Sequence, residues 1–244
     1  SNTTASNNTA LGRNAMVNNT EGFQNVAVGA YCLDANTTGD YNVAVGLNAL
    51  GGNNADANTA VGNQAMLSNT EGTKNVALGA YALDANTTAS NNVATGWNAL
   101  SSNTTGAANT AVGQSALEDN TTANYNVAIG SEALKDNTTG ESNVAVGTDA
   151  LEANTTGDKN VAVGTNAADG CTTGFRNTAI GNFCMANGTI TGNENTAVGD
   201  NALRELTSGQ DNTGCGGSSH YLLTTGDNNS SFGFAAGYGV TSGS

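Results

Sequence analysis

The sequence predicts an all-β fold: a parallel β-solenoid, or β-roll, with about 14 coils of 17 residues each. The first observation is a cassette, N-[VT]-A-[VIL]-G-x-x-A-[LM]-x-x-N-T-T-G-x-x, that recurs fourteen times in the 244 residues. The second is the short and nearly constant repeat length, which is typical of one coil of a stacked structure. The third is the composition, because Asn, Thr and Gly dominate and no apolar stripe recurs at the period of a helix.

The phase of the repeat is marked by the glycine at the fifth cassette position. Only two steps differ from 17 residues: Gly46 to Gly62 takes 16 and Gly181 to Gly199 takes 18. We therefore expect a regular solenoid over residues 1–203 and degenerate terminal coils, a tip or a junction, over residues 204–244. Both ends of the sequence fall inside the pattern, so we expect a segment of a longer polypeptide. The marker glycines are Gly12, Gly29, Gly46, Gly62, Gly79, Gly96, Gly113, Gly130, Gly147, Gly164, Gly181, Gly199, Gly216 and Gly233.

The cassette itself predicts the local structure of a coil. The N-V-A-V-G segment is β-branched, alternates with period two and ends in Gly, which predicts a short strand and a corner. The x-x-A-L segment predicts a second short strand. The N-T-T-G segment predicts a turn, because Asn and Gly suit backbone conformations that other residues resist.

In-register stacking would place each residue about 4.8 Å above its equivalent, so that each cassette position becomes a ladder. Amides in an Asn ladder can hydrogen-bond from coil to coil, which explains an invariant polar residue without a catalytic role. The corner glycines Gly29, Gly46, Gly79, Gly113 and Gly147 are expected to form a structural ladder of the same kind. The members of the first Asn ladder are Asn8, Asn25, Asn42, Asn58, Asn75, Asn92, Asn109, Asn126, Asn143, Asn160, Asn177, Asn195, Asn212 and Asn229.

A second Asn ladder opens the N-T-T turn and also matches the glycosylation acceptor N-x-[ST]. Repetition of a turn explains it most simply. Glycosylation in a secreted eukaryotic protein is the alternative, and it is excluded for any Asn that faces inward. This ladder includes Asn36, Asn69, Asn86, Asn103, Asn120, Asn137 and Asn154.

The charge of the chain limits its partners. With 20 acidic and 6 basic residues, nucleic acid and anionic membrane surfaces are poor partners, since both require clustered Lys and Arg. No stretch approaches the roughly 20 apolar residues of a membrane span, so no membrane insertion is expected. The charges occupy variable positions that must face water. Glu118, Lys135 and Glu152 occupy the same cassette position in three successive coils. Lys135 should therefore relieve some of the repulsion between the acidic side chains stacked at this position.

Catalysis, metals and cofactors have little support in the sequence. His220 is the only histidine and has no nucleophile or carboxylate at a fixed spacing. Neither the calcium-binding roll pattern nor a phosphate-binding loop recurs. The four cysteines are scattered substitutions in the cassette, predicted to be free thiols rather than zinc ligands. We therefore expect no enzyme and no cofactor.

The strand segment bears directly on assembly, because none of its five positions carries a charge in any copy. Alternation gives one face of Val, Ile, Leu or Thr and one of Asn, Ala and Gly. A coil of one chain covers only one side of its wall, and strands buried on both sides have this composition. The other face is expected to meet another chain or a flat ligand. Trimerisation around the long axis is the simplest closed arrangement.

The N-[VT]-A-[VI]-G cassette with A-L and N-T-T-G resembles the repeats of tail fibres and other structural proteins of marine bacteriophages. It is also similar to the head repeats of trimeric autotransporter adhesins. This resemblance implies a left-handed parallel β-roll in a homotrimer. It covers nearly the whole chain, although adhesin heads use a shorter repeat and usually place Ser before the V-A-I-G element.

The sequence therefore predicts a structural and adhesive fibre segment of a bacteriophage tail fibre, extracellular and used in host attachment. The alternatives are a bacterial surface adhesin or extracellular filament subunit, and an ice- or glycan-binding solenoid. A host glycan or protein could bind at a tip. The candidate tip residues are His220, Tyr221, Phe234 and Tyr238; aromatics there could stack on sugars or plug the open end of the solenoid.

Overall fold

The computed structural model describes residues 4–243, and no helix occurs among them. The chain is a parallel β-solenoid, which confirms the predicted fold class. It forms two compact units, residues 1–124 and residues 125–244. The predicted degenerate segment 204–244 still contains strands, so the solenoid continues through it.

Each coil has one strand of three residues, and we number the coils by their strands. The first unit contains β1 (Thr9–Leu11), β2 (Val26–Val28), β3 (Val43–Val45), β4 (Thr59–Val61), β5 (Val76–Leu78), β6 (Val93–Thr95) and β7 (Thr110–Val112). The second unit contains β8 (Val127–Ile129), β9 (Val144–Val146), β10 (Val161–Val163), β11 (Thr178–Ile180), β12 (Thr196–Val198), β13 (Thr213–Cys215) and β14 (Ser230–Phe232).

Successive strands within each unit pair in parallel and without any slip in register. Ala44 pairs with Ala60 across the 16-residue step. Ala179 pairs with Ala197 across the 18-residue step. The changes in repeat length are therefore absorbed outside the strands.

The middle residue of each strand points inward and its two neighbours point outward. Ala77 is fully buried, whereas Val76 is partly exposed and Leu78 is 39% exposed. The preceding Asn75 is fully buried as well. The interior face is therefore the one with Asn and Ala, and the face with Val, Leu and Ile is outside.

The x-x-A-L segment is a tight turn, so the prediction of a second strand in each coil is wrong. Tyr81 and Leu83 have left-handed φ values of 60° and 52°, and other coils repeat this alternation. The turn keeps the Leu83 side chain fully buried, and its N–H donates to the carbonyl of Ala99 at 3.1 Å. A left-handed residue costs about 1–2 kcal/mol, and burying a Leu contributes about 1.5–3 kcal/mol. Burial of Leu83 therefore offsets much of the strain of the two left-handed residues.

The first Asn ladder lies in the interior and joins neighbouring coils. Asn75 Oδ1 accepts a hydrogen bond from the Asn92 N–H at 2.9 Å. Its Nδ2 donates to the carbonyl of Ala89 at 2.8 Å. In the second unit Asn143 makes the same pair of bonds, to the Asn160 N–H and the Gly157 carbonyl. Each amide thus satisfies one backbone donor and one backbone acceptor that have no strand partner.

The second Asn ladder is also buried, but it bonds directly from amide to amide. Asn86 Nδ2 donates to Asn69 Oδ1 at 2.7 Å, and Asn154 Nδ2 donates to Asn137 Oδ1 at 2.7 Å. Because these side chains face inward, the glycosylation alternative is excluded for the folded chain at all seven predicted positions. Those fully buried residues are Asn36, Asn69, Asn86, Asn103, Asn120, Asn137 and Asn154.

The corner glycine permits close approach of consecutive coils. Gly79 has φ +146°, and a Cβ at this position would collide with the carbonyl oxygen of Gly96 in the next coil. Any other residue would both strain the backbone and separate the coils. The same collision would occur at Gly29, Gly46 and Gly147, and Gly113 has a similar φ of 143°.

Replacing Asn75 by Ala should lower the free energy of unfolding by about 2–4 kcal/mol. The change leaves the Asn92 N–H buried without a partner, at about 1–3 kcal/mol. It also removes one of the two amide donors to the Ala89 carbonyl, at about 0.5–1.5 kcal/mol, while Asn86 Nδ2 still donates to that carbonyl. Chemical denaturation followed by circular dichroism measures the change. Gln114→Ala, on an exposed side chain of the same unit, is the control and should stay within about 0.5 kcal/mol. A similar loss in both variants would contradict the assigned role of the ladder.

Candidate functional site

The outer wall is the most distinctive surface of each unit. We define it as the side chains of the first and third residues of every strand. None of them is charged. In the first unit Leu11, Val61, Leu78 and Val112 are 37–67% exposed; in the second unit Ile129, Val163, Ile180 and Phe232 are 37–73% exposed.

In some coils large apolar side chains border the outer wall on one side or the other. Tyr41 lies two residues before β3 and is 55% exposed, and Leu47 lies two residues after β3 and is 48% exposed. Trp97 follows β6 in the same way at 51%, and Tyr125 precedes β8 at 65%. With strands about 4.8 Å apart, the wall of seven strands in one unit covers roughly 300 Å². A patch of this size is comparable to the largest apolar patch on a typical monomer, which is often functional.

Charged side chains are absent from the wall itself but occur beside it and at the turns. Lys74, Arg176 and Glu194 lie two residues before their strands, at the position of Tyr41 and Tyr125. Asp158 Oδ1 accepts a hydrogen bond from the Glu141 N–H at 2.7 Å, and Asp56 Oδ1 accepts one from the Asp40 N–H at 2.9 Å. These carboxylates therefore stabilise the turns that join the coils. Lys135 pairs with Glu132 at 3.0 Å, and this hydrogen bond raises the pKa of the Lys135 ammonium. An ion pair as exposed as this one contributes little to stability.

The four cysteines are free, as predicted. Cys32, Cys171 and Cys184 are fully buried. Burial raises the pKa of Cys171 and of Cys184 to about 12, so both remain protonated and unreactive at neutral pH. Cys215 differs, because it is the third residue of β13 and lies partly exposed on the outer wall.

The four candidate tip residues have different environments. Phe234 is 85% exposed. Tyr238 is 45% exposed and stacks on Tyr221, with ring centroids 5.0 Å apart. His220 is only 5% exposed, so its ring belongs to the interior.

The sequence patterns did not identify Arg204 as a contact of these aromatic rings. The Arg204 guanidinium lies 5.8 Å from the Tyr221 ring centroid and 5.4 Å from that of Phe183. Arg204, Tyr221 and Tyr238 occupy the same cassette position in three successive coils, which is the signal that could have identified it. The resulting column continues the stacking of coils on the outside of the second unit.

Among residues 4–243, no group of three His, Cys, Asp or Glu side chains is placed to hold a metal ion. Nor does this part of the chain contain a helix suited to crossing a membrane.

The fold and the outer wall together define the chain as a parallel β-solenoid with an uncharged, largely apolar sheet face. The chain matches no protein-family model and no curated protein.

Replacing Asp169 by Asn should stabilise the chain slightly at pH 7, by less than about 1 kcal/mol. Burial raises the pKa of Asp169, whose Oδ2 accepts from Asn166 and whose Oδ1 has no hydrogen-bond partner. A raised carboxyl pKa means that its stabilising contribution is present below the unfolded value and is lost as pH rises through the folded pKa. The gain from Asn should therefore vanish near pH 3.

Thermal unfolding at both pH values measures this difference. Asp158→Asn changes a carboxylate on an exposed turn of the same unit and serves as the comparison. An Asp169→Asn gain that is equal at pH 3 and pH 7 would refute the electrostatic explanation.

Proposed function

We propose that this chain is a segment of an extracellular structural and adhesive fibre, of the type found in bacteriophage tail fibres. Three copies pack in parallel around their outer walls. The segment supplies stiffness and reach, and attachment to a host glycan or protein takes place at a tip. A bacterial surface adhesin has the same fold and differs in its anchor, which sequence outside these residues would reveal.

The single observation that carries this proposal is the outer wall. Val, Leu and Ile side chains at 37–67% exposure, without a charged neighbour in the strands, leave apolar surface in water at about 25 cal/mol per Å². A partner that covers the wall removes this cost. Cyclic symmetry buries the same wall on every copy, and parallel packing places equivalent coils at equal height.

The resemblance to fibre repeats supplies the biological setting, and the Asn ladders support the mechanical role. Buried amides join each coil to the next within both units. A solenoid whose stability comes from nearest-neighbour contacts can lengthen by adding coils. Reach is then set by the number of repeats.

An ice- or glycan-binding solenoid is the second candidate. It is favoured by Thr178, Thr196 and Thr213, which are the first residues of three consecutive strands and face outward. Their spacing of about 4.8 Å forms a regular array of hydroxyl and methyl groups. The remaining outer wall is dominated by Val, Leu and Ile, which fits protein contact better.

Replacing Val163 by Glu should convert a trimer of the 24.1 kDa chain into a monomer that keeps its fold. Val163 is 37% exposed on the outer wall, so a carboxylate there meets water in the single chain but would be buried at an interface. Light scattering at several concentrations gives the mass, and circular dichroism reports the fold. Thr156→Glu is the matched control, since Glu21 and Glu71 occupy the equivalent turn position.

A wild-type chain that stays monomeric would contradict self-association. In that case, thermal hysteresis of ice growth would test the second candidate. A dimer would support use of the wall and overturn the trimer.

Cys215 provides an independent test of whether the outer wall is covered in the assembled protein. It is the only one of the four thiols that is not fully buried. A maleimide should therefore label the Val163→Glu monomer at about one thiol per chain, and label the assembled wild type much more slowly. Mass spectrometry counts the modified thiols. Equal labelling rates would show that the wall around Cys215 is not covered.

A further inference from the structure

His220 occupies a place in the interior that an apolar residue takes in other coils. It lies at the cassette position of Leu203 in coil 12, and it is 5% exposed. Gly237 holds this position in coil 14. A Cβ on Gly237 would collide with the His220 ring, so the glycine is what makes room for the imidazole.

The buried imidazole lacks a hydrogen-bond partner at one nitrogen. His220 Nδ1 is inaccessible to solvent, and it neither donates nor accepts a hydrogen bond. In the neutral ring one nitrogen can remain an acceptor at moderate cost, whereas in the imidazolium both nitrogens are donors. Protonation would therefore place a charge and an unsatisfied N–H in the interior.

No charged side chain nearby compensates for the positive charge of a protonated His220. The charged residues of the coils packed around His220 are Asp200, Arg204, Glu205 and Asp211 in coil 12 and Asp227 in coil 13; the described part of coil 14 has none. Burial alone accounts for the lowered pKa of His220, and none of those side chains contributes. Exclusion from water thus disfavours the protonated imidazole.

Coil 14 is the layer that keeps water away from this ring. The backbone N–H of His220 donates to the Ala236 carbonyl at 2.8 Å, and the backbone N–H of Thr224 donates to the Thr241 carbonyl at 3.0 Å. Because a coil contacts only its neighbours, a charge in coil 13 acts first on this junction.

We propose that His220 makes the junction between coils 13 and 14 acid-labile, so that mild acid opens coil 14 while the rest of the second unit stays folded. This inference does not depend on the proposed fibre function. The opened form takes up one proton at His220. Opening is least at pH values above about 6.5, the ordinary histidine value, and increases as pH falls toward the folded pKa.

Amide hydrogen exchange of the 244-residue chain between pH 5.5 and 7.0 tests the proposal. After correction for intrinsic exchange, the opening equilibrium seen by the His220 and Thr224 amides should increase as pH falls, by at most about tenfold per pH unit for one proton. The backbone N–H of Val161 in coil 10 donates to the Asn177 carbonyl. It is the internal reference and should show no such slope. His220→Leu should abolish the slope, and His220→Gln is the second neutral variant in case Leu misfolds.

Because the chain contains one histidine, its ring proton resonances report the His220 pKa without ambiguity. A pKa below 6.5 together with the exchange slope supports the proposal. A pKa at or above 6.5, a flat exchange profile, or a slope that survives in both neutral variants would overturn it.

Discussion

The structure depends on one buried amide per coil, the first Asn of the cassette. A three-residue strand supplies few ladder bonds, so the backbone around it has donors and acceptors that the sheet cannot satisfy. Asn75 supplies an acceptor to the Asn92 N–H and a donor to the Ala89 carbonyl. No apolar side chain could do both, and an ionised Asp could only accept. The narrow interior follows from this, because the amide needs small neighbours such as Ala77 and Ala94, both fully buried.

Variation in repeat length shows which parts of the coil must be kept. The strand register persists across the shortened coil 3, while the second Asn ladder is interrupted there: Asn36 Oδ1 has no hydrogen-bond partner. The same ladder ends at Asn154, whose Oδ1 is also unpartnered because Cys171 follows it. Beyond that point the ladder position becomes apolar, with Leu206 and Leu223 fully buried. The second ladder is thus replaceable by hydrophobic packing, whereas the first is not replaced in any coil.

Much of the fold could be predicted because period and residue type carry it directly. The cassette predicted the strand positions, the corner glycines and the existence of the Asn ladders. The second strand was mispredicted because x-x-A-L alternates in polarity as a strand does. Leu83 reaches the interior by a left-handed backbone instead, and a hydrophobic pattern cannot distinguish the two. Which strand face points inward also required coordinates, since both faces are uncharged.

The sequence shows that both faces of the strand are uncharged, although only one of them can line the interior of the coil. The structure shows which face is left outside. Each of coils 2–13 buries one small residue from its strand; in coil 9 this is Ala145, and the two larger residues, Val144 and Val146, are only half-buried. A single chain therefore uses its bulkiest strand residues least. Widening the interior to take them in would separate Asn143 from the Gly157 carbonyl to which it donates at 2.8 Å. The amide ladder and the apolar wall are thus two consequences of the same narrow coil, and a chain built this way gains most from burying the wall outside itself.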